Sequence, residues 1–396
     1  MTAADGEREL LRRTVEDLLA RHCTPARVAA AAAGSGWDAS LWQALEETGL
    51  TLAGSPEEAG GSGGDLFAAA DIAVAAGAAA APVPLAETLA AGMLLGRAGL
   101  AIPSGPLTVA VASGPGAALG SGRVPGSGGG PGSGGGPGSG GGPGSGAGLR
   151  RVPYGRLATT VAAGSGGPGW DGDWLAVIGP ADRGGTGQGG TGRDGIGRNL
   201  AGEPRDEVIL GGDAEVHEVP AGTADHARRL LRLFRSLLIA GAAQRALDLT
   251  VTYVKEREQF GRPLARFPTV QQELARMAGE VALIAAATQA AVAAEQNAAA
   301  AAPAGDTVSA VLAAKAQASH CAGIVAAIAH QLHGAIGTTE EHRLRLTTTR
   351  LWSWRDEDGS EAECFAELGA AALGAATAAG GLWPWLSGGP DAGTAV

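Results

Sequence analysis

The chain has 396 residues, enough for two or three domains, and a net charge of −11 at pH 7. This acidic balance argues against nucleic acid as the main partner, although it permits a local cationic pocket for a phosphate-bearing cofactor. Three scattered cysteines without a CxxC pair do not form a disulfide framework and favour a reducing, cytoplasmic location. No signal peptide is recognisable, and polar side chains interrupt the alanine-rich stretches, so we expect buried helices and no membrane span.

Helical patterns fill the first part of the chain, which we interpret as an N-terminal helical domain over residues 1–103. Asp38 or Ser40 is a candidate N-cap for the second of its helices, and Gly49 is expected to end that helix. The predicted helices cover residues 9–22, 38–50, 65–80 and 85–99.

The helical period disappears in the middle of the chain, where short apolar runs alternate with Gly/Pro turns. This pattern predicts a small β domain over residues 104–221. Its expected strands are 107–112, 158–163, 173–180, 206–210 and 214–219. A six-residue Gly/Pro/Ser repeat occupies about 122–148 and cannot bury enough apolar area to order itself, so we predict a disordered insertion. We expect the same of the Gly-rich stretch 183–198, and neither stretch has the context of a phosphate-binding loop.

Long helices return from residue 222 to residue 396, with apolar residues repeating every three or four positions. One such seam comprises Phe267, Val270, Leu274, Met277, Val281 and Ile284. This spacing predicts an up-down four-helix bundle, with Asp306 as a candidate cap and a last helix over 360–379. The fold class is therefore α+β, with a helical domain, a small central β domain and a C-terminal long-helix bundle.

Three stretches of the C-terminal region have the composition of functional sites. "YVKEREQFGRPL" (253–264) ends the first long helix, and "HQLHGAIG" (330–337) ends the third. "LWSWRDEDGS" (351–360) contains three consecutive acids. Each also has a simpler interpretation: an exposed inter-helix turn, a helix end and a solvated acidic turn. The histidines lack further ligands at metal-binding spacing, so no metal is expected.

Together these motifs and their order resemble the acyl-CoA dehydrogenase family, of an actinobacterial type. The N-terminal stretches "LWQALEETGLTLAGSPEEAGGSGGDL" (41–66) and "PVPLAETLAAGMLLGRAG" (82–99) are similar to the opening domain of that family. "RNLAGEPRDEVIL" (198–210) resembles the end of its β domain. The resemblance covers nearly the whole chain outside the Gly-rich stretches.

The resemblance implies an FAD-dependent enzyme of fatty acid metabolism that oxidises an acyl-CoA thioester to the 2,3-enoyl-CoA. A carboxylate removes the α-proton while the β-hydride passes to FAD. It also implies a homo- or hetero-oligomer, dimeric or tetrameric, because FAD contacts come from a neighbouring subunit. An electron-transfer flavoprotein is the implied electron acceptor.

The family's site residues can be carried over to matching positions of this chain. Arg232 matches a substrate-binding position. The implied cofactor-binding residues are Arg257, Phe260, Gln271, Gln331, Gly334, Gly337 and Ser360. Two departures concern the cofactor: Pro268 replaces a usual Gln, and the polar loop and strand that hold the flavin ring have no counterpart around "LTVAVASGPGAAL" or "RRVPYGRLATTVAAG".

The catalytic base is the third departure. Some family members carry it at the position of Leu231, which cannot accept a proton. Most carry it in a "Y-E-G-T" turn, which the family register aligns with Glu357, Asp358, Gly359 and Ser360. Asp358 then occupies the base position, with Glu357 as the less favoured alternative.

Two functions therefore stay open at this point. The chain is either an acyl-CoA dehydrogenase with Asp358 as its base, or a catalytically inactive partner subunit of a heteromeric dehydrogenase that contributes FAD contacts across the interface. A flavin oxidase or monooxygenase on the same fold is a third, weaker alternative.

Overall fold

The computed structural model describes residues 3–112, 148–167, 170–179, 196–209, 214–298, 305–340 and 342–379. The repeat at 122–147 and most of 183–198, both predicted to be disordered, lie outside these residues. The described ends of both stretches are strands, beginning at Gly148 and Ile196. The prediction of disorder is therefore wrong for residues 148 and 196–198, because both pair with the strand Pro204–Ile209.

The N-terminal region is helical, as predicted, with one additional short helix. Asp38 caps the third helix by accepting hydrogen bonds from the amides of Ser40 and Leu41, and Gly49 follows the helix in a left-handed conformation. These contacts confirm the predicted start and end of that helix. The helices are α1 (Ala3–His22), α2 (Pro25–Ala33), α3 (Ala39–Glu47), α4 (Leu66–Ala79) and α5 (Leu85–Arg97).

Two small sheets form the central region and pack face to face. The first sheet has strand order β1-β3-β4-β7, with β1 parallel to β3 and the other pairs antiparallel; the second is antiparallel with order β2-β6-β5. The strands are β1 (Leu107–Val111), β2 (Gly148–Pro153), β3 (Thr159–Gly167), β4 (Trp170–Ile178), β5 (Ile196–Arg198), β6 (Pro204–Ile209) and β7 (Glu215–Val219). The strands β2 and β5 were not among those predicted from the sequence.

Alternate side chains along β3 and β4 pack against the helices and against the second sheet. Val161 and Leu175 pack into the main helical core, whereas their neighbours Ala162 and Trp174 pack into the core between the two sheets. Successive side chains of a strand point to opposite faces, so the first sheet has both faces covered. One face of the β region is thereby fixed against the helices, and a cleft forms at its border.

The C-terminal region contains five helices in its described part, one more than predicted. They are α6 (Thr223–Glu256), α7 (Pro268–Ala298), α8 (Gly305–His333), α9 (Leu344–Trp354) and α10 (Glu361–Ala379). A hairpin of β8 (Glu258–Gln259) and β9 (Arg262–Pro263) joins α6 to α7. The additional helix is α9, whose buried Trp354 and Leu351 belong to the main core. Asp306 lies inside α8, not at its cap.

The long helix α6 is the centre of the molecule and is largely buried along its first half. It crosses α4 where Gly77 and Gly241 face the opposite backbone, because a methyl group at either position would overlap a carbonyl oxygen of the other helix. The predicted seam of α7 is confirmed at Met277, Val281 and Ile284, which are buried. Helices from the N-terminal and C-terminal regions thus share one core.

Two helices of the described chain, α7 and α8, are long and apolar enough to cross a membrane by length and composition alone. In α8, 67% of the most apolar window is buried inside the protein, against 33% in α7. The apolar character of α8 is therefore largely explained by packing within the bundle.

Candidate active site

The segment between α9 and α10 carries the two acids that the sequence singled out, and it turns them in different directions. Asp358 has a φ of 58° and Gly359 a φ of 112°, both in the left-handed region. Asp tolerates this conformation better than most residues, and glycine adopts it freely. The turn buries Glu357 towards β6 and leaves Asp358 at the border of a cleft.

Glu357 is part of a buried ion-pair network. Arg205 Nη2 lies 2.6 Å from Glu357 Oε2 and its Nε lies 2.8 Å from Oε1, while Asn199 Nδ2 donates to Oε1 at 3.2 Å. Arg235 Nη1 lies 3.4 Å from Oε2. Burial by itself would raise the pKa of Glu357, but the two guanidinium groups outweigh it and lower the pKa to about 2. Both oxygens are occupied, so its contacts indicate a structural anion and do not support the predicted role of Glu357 as an alternative base.

Arg205 extends this network into the core. Its Nη2 also lies 3.1 Å from Glu203, which pairs with Arg350 at 3.0 Å and accepts a hydrogen bond from the Trp354 indole at 2.9 Å. Burial opposes the charged form of Glu203, but Arg350 and Arg205 lower its pKa. The network therefore ties β6, α9 and the acidic turn together through ionised groups.

Asp358 borders a cleft of about 410 Å³ between β1, β2 and α6. Its Oδ2 accepts a hydrogen bond from Arg235 Nε at 2.8 Å, and its side chain retains 18% exposure. Arg235 is buried and also pairs with Glu87 of α5 at 3.1 Å. One oxygen of Asp358 is thus directed at a buried guanidinium group while the residue still reaches the cleft.

The α6 side of the cleft carries Leu231 and Arg232. Arg232 makes a two-pronged pair with Glu367 of α10, at 2.6 and 2.8 Å, and donates from Nε to the backbone oxygen of Asp358 at 3.2 Å. The predicted substrate-binding residue is therefore at the cleft, where it also holds the turn that carries Asp358.

Lys315 of α8 is a component of the site that the sequence analysis missed. Its buried Nζ donates to the backbone oxygens of Arg355 and Gly359, at 2.9 and 2.6 Å, and to Ser319 Oγ at 2.7 Å. Burial is the main cause that lowers the pKa of Lys315 to about 8. Lys315 thus fixes both ends of the turn around Asp358. No local motif marks it, because two of its partners are backbone atoms 40 and 44 residues away.

The predicted cofactor residues of the first motif lie on the surface at the end of α6. Arg257 follows the last helical turn and is exposed, and Phe260 in the β8–β9 hairpin is 88% exposed with a φ of 54°. Gln271 is also exposed, but its Nε2 donates to the backbone oxygen of Ala265 at 2.9 Å. Arg257 and Phe260 are therefore free to contact a neighbouring molecule, while Gln271 has a local structural role.

The second motif lies at the end of α8. Gln331 is exposed; Gly334 ends the helix with a φ of 65°, and Gly337 is buried against His333. The His333 ring stacks on Tyr253 of α6 with ring centroids 4.3 Å apart. This stack ties the ends of α6 and α8 together, so both motifs lie in one region of the bundle.

Ser360 has a structural partner instead of a free hydroxyl. Its backbone amide and Oγ contact Glu363 Oε2 at 2.8 and 2.9 Å, and the Glu363 amide donates to Ser360 Oγ at 3.3 Å. This reciprocal pair is a capping box at the start of α10. Its contacts favour capping over the predicted contact with a cofactor. Among the described residues, no group of three or more His, Cys, Asp or Glu side chains is arranged to hold a metal ion.

Comparison with known proteins identifies the family of this chain. Residues 5–100 match the model of the acyl-CoA dehydrogenase N-terminal domain, and residues 223–361 match that of the acyl-CoA dehydrogenase C-terminal domain. The chain belongs to the acyl-CoA dehydrogenase family. This is a family of flavin-dependent oxidoreductases that act on CH–CH bonds, and the resemblance seen in the sequence is thereby confirmed.

Curated relatives of this acyl-CoA dehydrogenase family chain include two mycobacterial proteins. One is acyl-CoA dehydrogenase IpdE2 of Mycobacterium tuberculosis, 32% identical over 347 residues that cover 86% of this chain and 89% of the relative. The protein of the same name from Mycolicibacterium smegmatis is 30% identical and covers 86% and 90% of the two chains. The match therefore extends over nearly the full length of both relatives.

Solved structures confirm the predicted α+β architecture. A structure described as a variant of the Tcur3481-Tcur3483 steroid ACAD has a TM-score of 0.75 and 25% identity, covering 94% of this chain and 99% of the other. Butyryl-CoA dehydrogenase from Megasphaera elsdenii has a TM-score of 0.69 at 18% identity, covering 94% and 99%. The latter likeness concerns the fold alone.

Proposed function

We propose that this chain is the catalytically inactive subunit of a heteromeric acyl-CoA dehydrogenase. It contributes FAD contacts across the interface to a dehydrogenase-like partner and does not itself remove the α-proton of an acyl-CoA. The observation that carries this proposal is the state of its three candidate base positions. Leu231 is apolar, Glu357 is enclosed by two arginines, and Asp358 is bonded to Arg235.

The geometry of Asp358 supports the proposal on physical grounds. In the substrate complex, a carboxylate oxygen of a general base must lie within roughly 2.6–3.2 Å of the atom whose proton it removes. An aspartate reaches roughly 1.3–1.5 Å less far than a glutamate, and misplacement by about 1 Å can lower a rate on the order of 100-fold. Here Oδ2 also points to the guanidinium group of Arg235. To act as a base, Asp358 would have to leave that partner.

The surface at the ends of α6 and α8 fits an FAD contact made between subunits. The Arg257 side chain makes no hydrogen bond or ion pair within the described parts of the chain, and Phe260 is almost fully exposed. An exposed guanidinium suits a diphosphate, and an exposed ring suits stacking on an aromatic group. Gln331 is exposed in the same region. When bound, FAD would supply the acceptor for the substrate's β-hydride.

Relatives give further support to a mixed assembly. The description of the solved structure at 25% identity joins two names, Tcur3481 and Tcur3483, for one steroid ACAD. For the present chain, this description supports a dehydrogenase-like subunit as the partner, in a cytoplasmic complex that passes electrons to an electron-transfer flavoprotein.

A second candidate function is FAD-dependent oxidation of an acyl-CoA by this chain itself, with Asp358 as base. The observation that favours it is the exposure of Asp358 to the cleft, beside Arg232. In this case the acyl-CoA would enter the 410 Å³ cleft, and substrate binding would draw Asp358 away from Arg235.

Purification of the chain alone and after co-expression with a neighbouring dehydrogenase-like gene distinguishes the two functions. The proposal predicts colourless protein in the first case and a yellow, FAD-containing complex in the second. In the complex, Arg257→Gln is expected to release FAD on gel filtration. Arg276→Gln, on the exposed side of α7, is the matched control and should retain FAD. Yellow protein that is bleached by an acyl-CoA without any partner would overturn the proposal.

A further inference from the structure

A second cleft lies away from the one around Asp358 and shares no residue with it. It has a volume of about 600 Å³ and is bounded by α1, α2, α4, α6 and α9. We call it the α1–α9 cleft. Its apolar surface comprises Leu19, Val28, Val74, Ala79, Leu249 and Leu346. The volume lies within the range of roughly 300–1,000 Å³ that is typical of small-molecule sites.

Two arginines at this cleft lack a partner among the described residues. Arg245 comes from the middle of α6 and is half-buried, and Arg343 stands at the N-terminus of α9. Neither side chain makes a hydrogen bond or an ion pair within the described parts of the chain. Burial and the nearby positive charge of Arg343 lower the pKa of Arg245. The positive charges of the exposed Arg343 and the half-buried Arg245 are thus close enough to repel one another, and an anion between them would relieve this repulsion.

The acids of the α1–α9 cleft are occupied by other groups. Asp71 is held by Arg8 of α1, and Glu16 pairs with Arg12 at 2.8 Å. Asp248 accepts a hydrogen bond from Gln244 at 2.9 Å, and its charge acts on Arg245 only from beyond ion-pair distance. Asp248 offsets part of the positive charge of Arg245 and Arg343, and the remainder is left for an anionic ligand.

We propose that the α1–α9 cleft binds an amphipathic anion, a molecule with an apolar body and one terminal carboxylate or phosphate. The apolar body would lie on the leucine, valine and alanine side chains, and the anionic group would bridge Arg245 and Arg343. Planar guanidinium groups match the oxygens of carboxylates and phosphates in a two-pronged geometry. The site is separate from the FAD and acyl-CoA contacts of the proposed function, so the two proposals can be tested independently.

Isothermal titration of the full chain with decanoate tests this proposal. Saturable binding is expected, with decanol and inorganic phosphate each at least about tenfold weaker, because each offers only half of the recognised chemistry. Decyl phosphate distinguishes the two anionic groups, and tighter binding by either one identifies the natural headgroup. Decanol that binds as tightly as decanoate, or phosphate that does so alone, would refute the proposal.

Variants locate the binding. The Arg245→Gln/Arg343→Gln double variant should bind decanoate at least about tenfold more weakly than the wild type. The exposed control Arg276→Gln should bind it with unchanged affinity. Ala79→Phe fills the cleft without altering either arginine and should abolish binding. Equal decanoate affinity in the double variant and the wild type, or in Ala79→Phe and the wild type, would place the ligand elsewhere and overturn the assignment.

Discussion

Replacing Glu357 by glutamine is expected to destabilise the protein strongly, because Glu357 neutralises two buried arginines. The side chain of Glu357 is 8% exposed, and those of Arg205 and Arg235 are 2% and 3% exposed. Removing one partner of a buried ion pair costs about 3–5 kcal/mol. The pKa of Glu357 gives a consistent value: lowering it from 4.5 to about 2 corresponds to roughly 3 kcal/mol, at about 1.4 kcal/mol per pKa unit.

The pH dependence gives the same prediction a second test. A carboxyl group with a lowered pKa stabilises the folded state above its unfolded value of 4.5, and this stability is lost as the pH falls towards 2. The difference in unfolding free energy between wild type and Glu357→Gln should therefore be about 3 kcal/mol at pH 7. It should narrow by about 2 kcal/mol between pH 6 and pH 3.

Urea unfolding monitored by tryptophan fluorescence measures these differences. Glu361→Gln is the matched control, because Glu361 is 46% exposed and its pair with His320 should contribute less than about 1 kcal/mol. Two results would refute the role of Glu357 as the central anion of the network. One is a fall of less than about 1 kcal/mol in the unfolding free energy of Glu357→Gln at pH 7. The other is a difference in unfolding free energy between wild type and Glu357→Gln that does not change with pH.

Three further predictions concern the framework around the site. Burial lowers the pKa of Lys315 from 10.5 to about 8, so the unfolded state binds more protons than the folded state between these pH values. The stability of the wild type should therefore rise with pH in this window. Thermal melts across pH 8–10 should show this rise in the wild type and its absence in Lys315→Met. Gly241→Ala should destabilise by about 1–3 kcal/mol in urea unfolding, because its methyl would overlap the Val74 carbonyl, whereas Gly279→Ala, with open space around it, should be neutral or stabilising. Ser360→Ala should cost about 1 kcal/mol through loss of the α10 capping box, and Ser360→Thr should restore much of it.

Much of the fold could be predicted because its signals are local. The capping contacts of Asp38 reach only two and three residues along the chain, and the buried residues of α7 repeat at helical spacing. The helix α9 and the strand β2 were not predicted, since each is short and contains two arginines among its apolar residues. Pairing with β6 and packing of Trp354 stabilise them from outside their own segments.

The site could be predicted only in part, because adjacent residues have opposite surroundings. Glu357 and Asp358 look equivalent in the sequence. Their environments are set by Arg205, 152 residues before Glu357, and by Arg235, 123 residues before Asp358. Lys315 acts on backbone oxygens, which have no signature in the sequence. The family register identified the turn, and tertiary contacts decide which acid reaches the cleft.

The rate at which an acyl-CoA bleaches the flavin of the purified complex tests the central claim most directly. The measurement compares complexes that contain wild-type chain, Asp358→Asn, or the control Asp356→Asn, whose side chain is exposed. If the partner subunit supplies the base, all three complexes will be bleached at the same rate. A fall of about 100-fold or more confined to Asp358→Asn would contradict the account and make Asp358 the catalytic base.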